Sequence, residues 1–147
     1  MPGMEILSPA GSPQALRAAV AAGADAVYFG GGGFNARHFA QNFDGEHMAR
    51  AISFCRENGV RSYITVNTLI ADRELDDAAA YLKELCALGV DAVIVQDTGL
   101  MRLLKGLAPQ LPVIASTQAA ANTLPAMQCM KELGCTRAVA SARTLLS

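Results

Sequence analysis

The sequence predicts an α/β protein, a parallel (β/α) TIM-barrel-like fold truncated after about six βα units, with residues 1–147 forming a single domain. Three observations lead there. Short apolar runs alternate with amphipathic helical patterns along the whole chain, which implies right-handed βαβ crossovers and a parallel sheet. One unit recurs, a helix followed by Gly-x-Asp and a buried strand. It is written as Gly23-Ala24-Asp25-Ala26-Val27-Tyr28-Phe29 and again as Gly89-Val90-Asp91-Ala92-Val93-Ile94-Val95. Polar residues stand at the far end of nearly every strand: Ser8, Asn67, Gln96, Asp97, Ser116, Thr117 and Gln118. An open doubly wound sheet also fits the alternation. It concentrates its ligand contacts at one switch point, however, whereas a barrel draws them from all its βα loops. A full barrel takes about 250 residues, so this chain is expected to be the N-terminal part of one.

The elements follow in order. Glu5-Ile6-Leu7 reads as a strand ending at Ser8-Pro9-Ala10-Gly11. Ser12 is a good N-cap and Pro13 a good first helical residue for an alanine-rich helix over Ala15–Ala22, closed by Gly23. Ala26–Phe29 is the second strand, and Gly30 to Gly33 leave it without side chains. Phe34 to Phe43 is irregular. Asp44 can cap a helix over Glu46–Glu57 with Met48, Ile52 and Cys55 on one face. The β-branched and aromatic run Arg61–Asn67 is strand three. A helix over Glu74–Leu88 turns Leu75, Ala79, Leu82, Leu85 and Cys86 inward, and Gly89 stops it. Ala92–Val95 is strand four. Asp97 opens a helix carrying Leu100, Leu103, Leu104 and Leu107. Val113–Ala115 is strand five, a helix with Met127, Met130 and Leu133 starts at Asn122 or Thr123, and Arg137–Ala140 is strand six.

Composition excludes some functions. The chain is 52% hydrophobic without a long apolar run, so no membrane span is expected. The N-terminus lacks a basic stretch followed by an apolar one, which points to the cytoplasm. A net charge of −1 gives no support for a nucleic-acid surface within this chain. Cys55, Cys86, Cys129 and Cys135 form no Cys-x-x-Cys pair, and three of them lie in helical patterns. They read as buried, reduced thiols, and no metal or cofactor is expected in this chain.

The glycine run is not a phosphate-binding P-loop, because no Lys-Ser/Thr follows. Gly31, Gly33 and Ala36 satisfy Gly-x-Gly-x-x-Ala, but no clear helix begins there and the next strand ends in Asn67 instead of a ribose-binding acid. Asn35 and Arg37 stand just beyond, where Arg37 could clamp a carboxylate or phosphate or simply be solvated. His38 and His47 have no Ser or Cys partner at a triad spacing. The candidate site is therefore Asn35, Arg37, Asn67, Gln96, Asp97, Ser116, Thr117 and Gln118. This amide- and hydroxyl-rich set suits a polar or anionic small molecule better than metal-assisted hydrolysis. Capping of neighbouring helices is the competing use, above all for Asp97.

The chain resembles the collagenase-like peptidase family of unknown catalytic type. Ser8–Gly11 matches its Ser-Pro-Ala-Gly. Gly23–Gly31 and Phe34–Arg37 match its Gly-Ala-Asp-Ala-Val-Tyr-Phe-Gly-Gly and Phe-Asn-Ala-Arg. Asn67-Thr68, Val95–Asp97 and Ala115–Gln118 match its later strand ends. Two positions depart: Ile114 stands where the family has His, and Ala142-Arg143-Thr144-Leu145 replaces Ala-Arg-Glu-Leu. Through the latter motif Arg143 joins the site residues. The resemblance implies a β/α barrel, with a peptidase or collagenase label on some members. It equally implies a role in tRNA or rRNA hydroxylation with prephenate, or in hydroxylation of ubiquinone precursors, and favours RNA hydroxylation over proteolysis. The cysteines that hold the family's iron–sulfur cluster lie downstream of the matched region, so a cluster belongs to a longer parent protein and RNA is met only through it. Two further readings stay open: a complete small-molecule-binding α/β module, and an inactive fragment that oligomerises. As six-eighths of a barrel, the chain has two open sheet edges, which predict a homo-oligomer.

Overall fold

The computed structural model describes residues 3–30, 45–66 and 69–140. Six strands are present: β1 (Leu7–Pro9), β2 (Ala26–Gly30), β3 (Arg61–Val66), β4 (Ala92–Val95), β5 (Val113–Ala115) and β6 (Arg137–Ala138). Five α-helices connect them: α1 (Pro13–Ala21), α2 (Gly45–Glu57), α3 (Leu75–Leu88), α4 (Thr98–Leu107) and α5 (Leu124–Glu132). All neighbouring strands pair in parallel, and their spatial order equals their order in the chain. That order decides between the two predicted architectures. A doubly wound sheet reverses its strand order at a switch point, whereas successive right-handed crossovers without reversal put every helix on one side and curl the sheet. The fold is a truncated (β/α) barrel.

The pleat then sorts the side chains. Val27, Phe29, Ile64, Val66, Val93, Val95, Val113 and Ala115 face the helices and join Leu16, Ile52, Leu82, Leu85, Leu100 and Leu104 in one core. Alternate residues Ala26, Tyr63, Ala92, Ile94 and Ile114 form a second cluster with Leu7, Tyr28 and Val139, which fills the lumen.

The helix boundaries have local causes. Ser12 Oγ accepts from Ala15 N–H at 3.1 Å, and Thr123 Oγ1 accepts from Ala126 N–H at 3.3 Å. Gly89 ends α3 at φ +79°, a left-handed conformation that glycine adopts without strain. Arg56 from the last turn of α2 donates to the carbonyl of Leu88 at 3.0 Å, capping the neighbouring helix. Lys105 of α4 repeats the device on α5, donating to Glu132 O at 3.0 Å.

At the N-terminal ends of the strands, the Gly-x-Asp units act as stitches between strands. Asp25, ahead of β2, accepts from Ile6 N–H beside β1 at 2.8 Å, and Asp91, ahead of β4, accepts from Ser62 N–H on β3 at 2.8 Å. Ahead of β6, Thr136 makes the equivalent link by donating to Val113 O on β5 at 3.4 Å.

Three details depart from expectation. A 3₁₀ turn at Asp72–Glu74 precedes α3, and Ala78, Leu82 and Leu85 are its buried residues, so the inward face passes through Ala78 while Ala79 is half-buried. Two strands differ: β1 pairs with β2 over Leu7–Pro9, two residues later than the expected Glu5–Leu7, and β6 is two residues long, ending at Ala138. Of the cysteines only Cys55 and Cys135 are buried; Cys86 is half-buried and Cys129 lies exposed on α5.

Candidate functional site

The C-terminal ends of the strands form one mouth, as a barrel requires. Ala92 and Ile94 face the lumen, so Gln96, two residues on, continues that face at the rim and is half-buried. On the next strand Ile114 faces the lumen and Ser116 follows it, 4% exposed. Thr65 of β3 completes this polar layer, its hydroxyl donating to Phe29 O at 3.3 Å.

The candidates divide by what already occupies them. Asp97 is committed on both oxygens: Oδ1 accepts from Leu100 N–H at 2.9 Å as the N-cap of α4, and Oδ2 accepts from Ile70 N–H at 3.1 Å. It thereby ties the β3–α3 connection to the start of α4. Ser116 Oγ accepts from Gln118 N–H at 3.2 Å and caps a 3₁₀ turn over Thr117–Ala119. Gln96, Thr117 and Gln118 make no side-chain hydrogen bond among the described residues, and the latter two are exposed. They are the groups of this set available to a ligand. Asn35, Arg37, Asn67 and Arg143 lie outside the described residues, as do Gly31 to Gly33 and His38. His47 is exposed on the first turn of α2. It borders a groove of about 610 Å³ between α1 and α2.

Two features were not visible in the sequence. Ala120 holds φ +55°, the one non-glycine residue at positive φ among those described, immediately after the site's 3₁₀ turn. Left-handed alanine is strained by about 1 kcal/mol, and such strain collects at functional loops. No Gly or Asn marks the position, so the local sequence gave no signal.

The second feature is the lumen floor. Glu5, just before β1, accepts from Tyr63 Oη at 2.9 Å and from Arg137 Nη1 at 2.7 Å, and it pairs with Arg61. Burial pushes the Glu5 carboxyl up, but the hydrogen bonds from Arg137 and Tyr63 and the charges of Arg137 and Arg61 outweigh it and hold it below the ordinary value. Burial and the Glu5 hydrogen bond raise Tyr63. The apolar layer around Ile94 and Ile114 separates this charged floor from the polar rim.

No three His, Cys, Asp or Glu side chains among the described residues are grouped to hold a metal ion. Burial raises the Cys55 thiol to about 11, which disfavours the thiolate that a metal needs. The four cysteines, spread over α2, α3, α5 and the β6 approach, do not fit an iron–sulfur cluster.

Comparison with known proteins places this geometry in context. The profile of peptidase family U32 matches residues 11–145. A 23S rRNA 5-hydroxycytidine C2501 synthase of Escherichia coli is 38% identical over 136 residues, covering 92% of this chain and 20% of the synthase. The tRNA hydroxylation protein P1 of Bacillus subtilis is 35% identical over 140 residues, 95% of this chain and 33% of that protein. A collagenase of Porphyromonas gingivalis is 40% identical over 98 residues, 66% of this chain and 24% of the collagenase. The chain thus spans a third or less of each of these relatives. Among solved structures, a U32 peptidase superposes with a TM-score of 0.77 at 16% identity, covering 95% of this chain and 60% of that one, a likeness of fold.

Proposed function

The chain belongs to peptidase family U32, and from that premise we propose that it is the N-terminal, substrate-facing part of an RNA-hydroxylating barrel. One observation carries the choice over proteolysis. The rRNA and tRNA hydroxylation relatives align over 136 and 140 residues, nearly the whole chain, whereas the collagenase aligns over 98. The mouth is consistent with this reading. Its available described groups, Gln96, Thr117 and Gln118, are neutral donors and acceptors suited to a polar group of a nucleotide. Asp97 and Ser116 shape the rim on which those groups stand. The chemistry itself belongs to the full-length protein, which would bring the iron–sulfur cluster and the RNA-binding surface; the described residues of this chain hold no group of three His, Cys, Asp or Glu side chains for a metal.

The test is to express the full-length gene product in a strain lacking rRNA and tRNA hydroxylation proteins and to assay hydroxylated nucleosides by mass spectrometry. Their restoration is the expected result, lost on Gln96→Leu. Cleavage of a collagen or gelatin substrate without any hydroxylated nucleoside would overturn the reading in favour of a peptidase.

A further inference from the structure

β6 is held weakly by its ladder. It has two residues and two register partners on β5. Its flanking backbone bonds, Thr136 N–H to Val113 O and Val139 N–H to Ala115 O, are both 2.9 Å. Arg137 and Ala140 are exposed, Ala138 and Val139 only half-buried, and no strand among the described residues lies on its other side. So short an edge strand has little to hold it besides side chains.

Its strongest side-chain tie crosses the lumen. Arg137 donates to Glu5, a residue 132 positions earlier, and its guanidinium lies 5.9 Å from the centre of the Tyr63 ring. The Glu5 side chain is only 15% exposed, while Arg61 and Arg137 are about half exposed. A carboxylate so withdrawn from water depends on its cations, because removing one partner of a buried pair leaves an uncompensated charge. Glu5 thus connects the leader of the first strand, the third strand and the last.

We propose that Glu5 is a clasp that anchors β6 across the lumen, and that breaking it releases residues 136–140 as a unit while β1–β5 stay folded. The clasp is independent of the RNA reading, since it uses only the lumen floor.

Amide hydrogen exchange on the wild-type chain, on Glu5→Gln and on the control Arg50→Gln is the test; Arg50 belongs to an exposed pair with Glu46 on α2. In Glu5→Gln the Thr136 and Val139 amides should exchange at least about tenfold faster while those of Ile94 and Val95 are unchanged, the pattern of local opening. The control should match wild type. Uniform acceleration throughout the sheet, or none at Thr136 and Val139, would overturn the clasp. Should Glu5→Gln fail to fold, the wild-type chain answers the question in salt. Roughly 1 M salt screens half-exposed guanidiniums, so the same two amides should accelerate selectively. Uniform or absent acceleration there counts against the proposal equally.

Discussion

Burial opposes ionisation of Glu5, but Arg137, Tyr63 and Arg61 together overcome it, so the native carboxyl releases its proton at lower pH than the unfolded one. The sign of the consequence is fixed by linkage. The stabilisation is complete above the unfolded carboxylate value and fades as pH falls through the depressed native value. Urea melts at decreasing pH should show wild type losing stability across that acidic window, and Glu5→Gln should lack this component. Cysteines give a second residue-scale prediction. Burial holds Cys55 near 11 and raises Cys135, whereas Cys129 is exposed. At pH 8, in the native state, iodoacetamide should label Cys129 first and leave Cys55 and Cys135 unmodified until the chain unfolds. A third contrasts two left-handed residues. At Gly89 an added Cβ would run into the Arg56 guanidinium that caps α3, so Gly89→Ala should destabilise by about 1–2 kcal/mol. Ala120→Gly, relieving an existing strain, should be neutral or stabilising by up to about 1 kcal/mol. Thermal denaturation of the pair measures both.

Among the elements, α4 shows how one residue can serve two. Asp97→Ala removes the N-cap of α4 and leaves Ile70 N–H without its acceptor, so a loss of about 1–2 kcal/mol is expected in the urea midpoint. Asp97→Asn, with one carbonyl oxygen, should recover part of it. Such caps were readable in advance: Ser12, Asp97 and Gly89 sit where local sequence chemistry requires them, and Thr123 is the one of two adjacent candidates, with Asn122, that caps α5. The central strands β2 to β5 were readable too, because a fully buried parallel strand is a short apolar run, whereas the edge strands β1 and β6 differ in their bounds from those expected. What escaped was which of two adjacent alanines of α3 turns inward, since those at 78 and 79 offer no contrast in hydrophobicity. The 3₁₀ turn over Thr117–Ala119 also escaped, since its polar residues read equally as a pocket. Glu5, Arg61, Tyr63 and Arg137 could not have been grouped in advance. They are scattered from one end of the chain to the other, and only the closing of the sheet brings them together. At the mouth, Gln96 and Ser116 were placed by strand alternation alone, whereas the commitment of Asp97 to backbone amides needed coordinates.

For the whole molecule, the unreversed strand order leaves β1 and β6 each paired on one side only among the described residues. Beside β1, Met4 and Ile6 are 93% and 60% exposed, an apolar margin on an open edge. We propose that in solution this chain covers these edges with a second copy, because unpaired parallel edges recruit partners. Sedimentation velocity at micromolar concentration should show a dimer or larger species; a well-folded monomer at every concentration would refute it. The stitches at the N-terminal ends of the strands carry a different lesson. Asp25 serves β1, Asp91 serves β3 and Thr136 serves β5, so each is internal to a βαβ pair and none crosses from one pair to the next. These stitches therefore repeat with a period of two strands. Cutting it after β2 or after β4 severs no stitch, whereas cutting inside a pair leaves a carboxylate or a carbonyl without its mate. The β2–β3 ladder and the Thr65 and Glu5 side chains still bind one pair to another, so the stitches mark a two-strand repeat within a continuously bonded sheet.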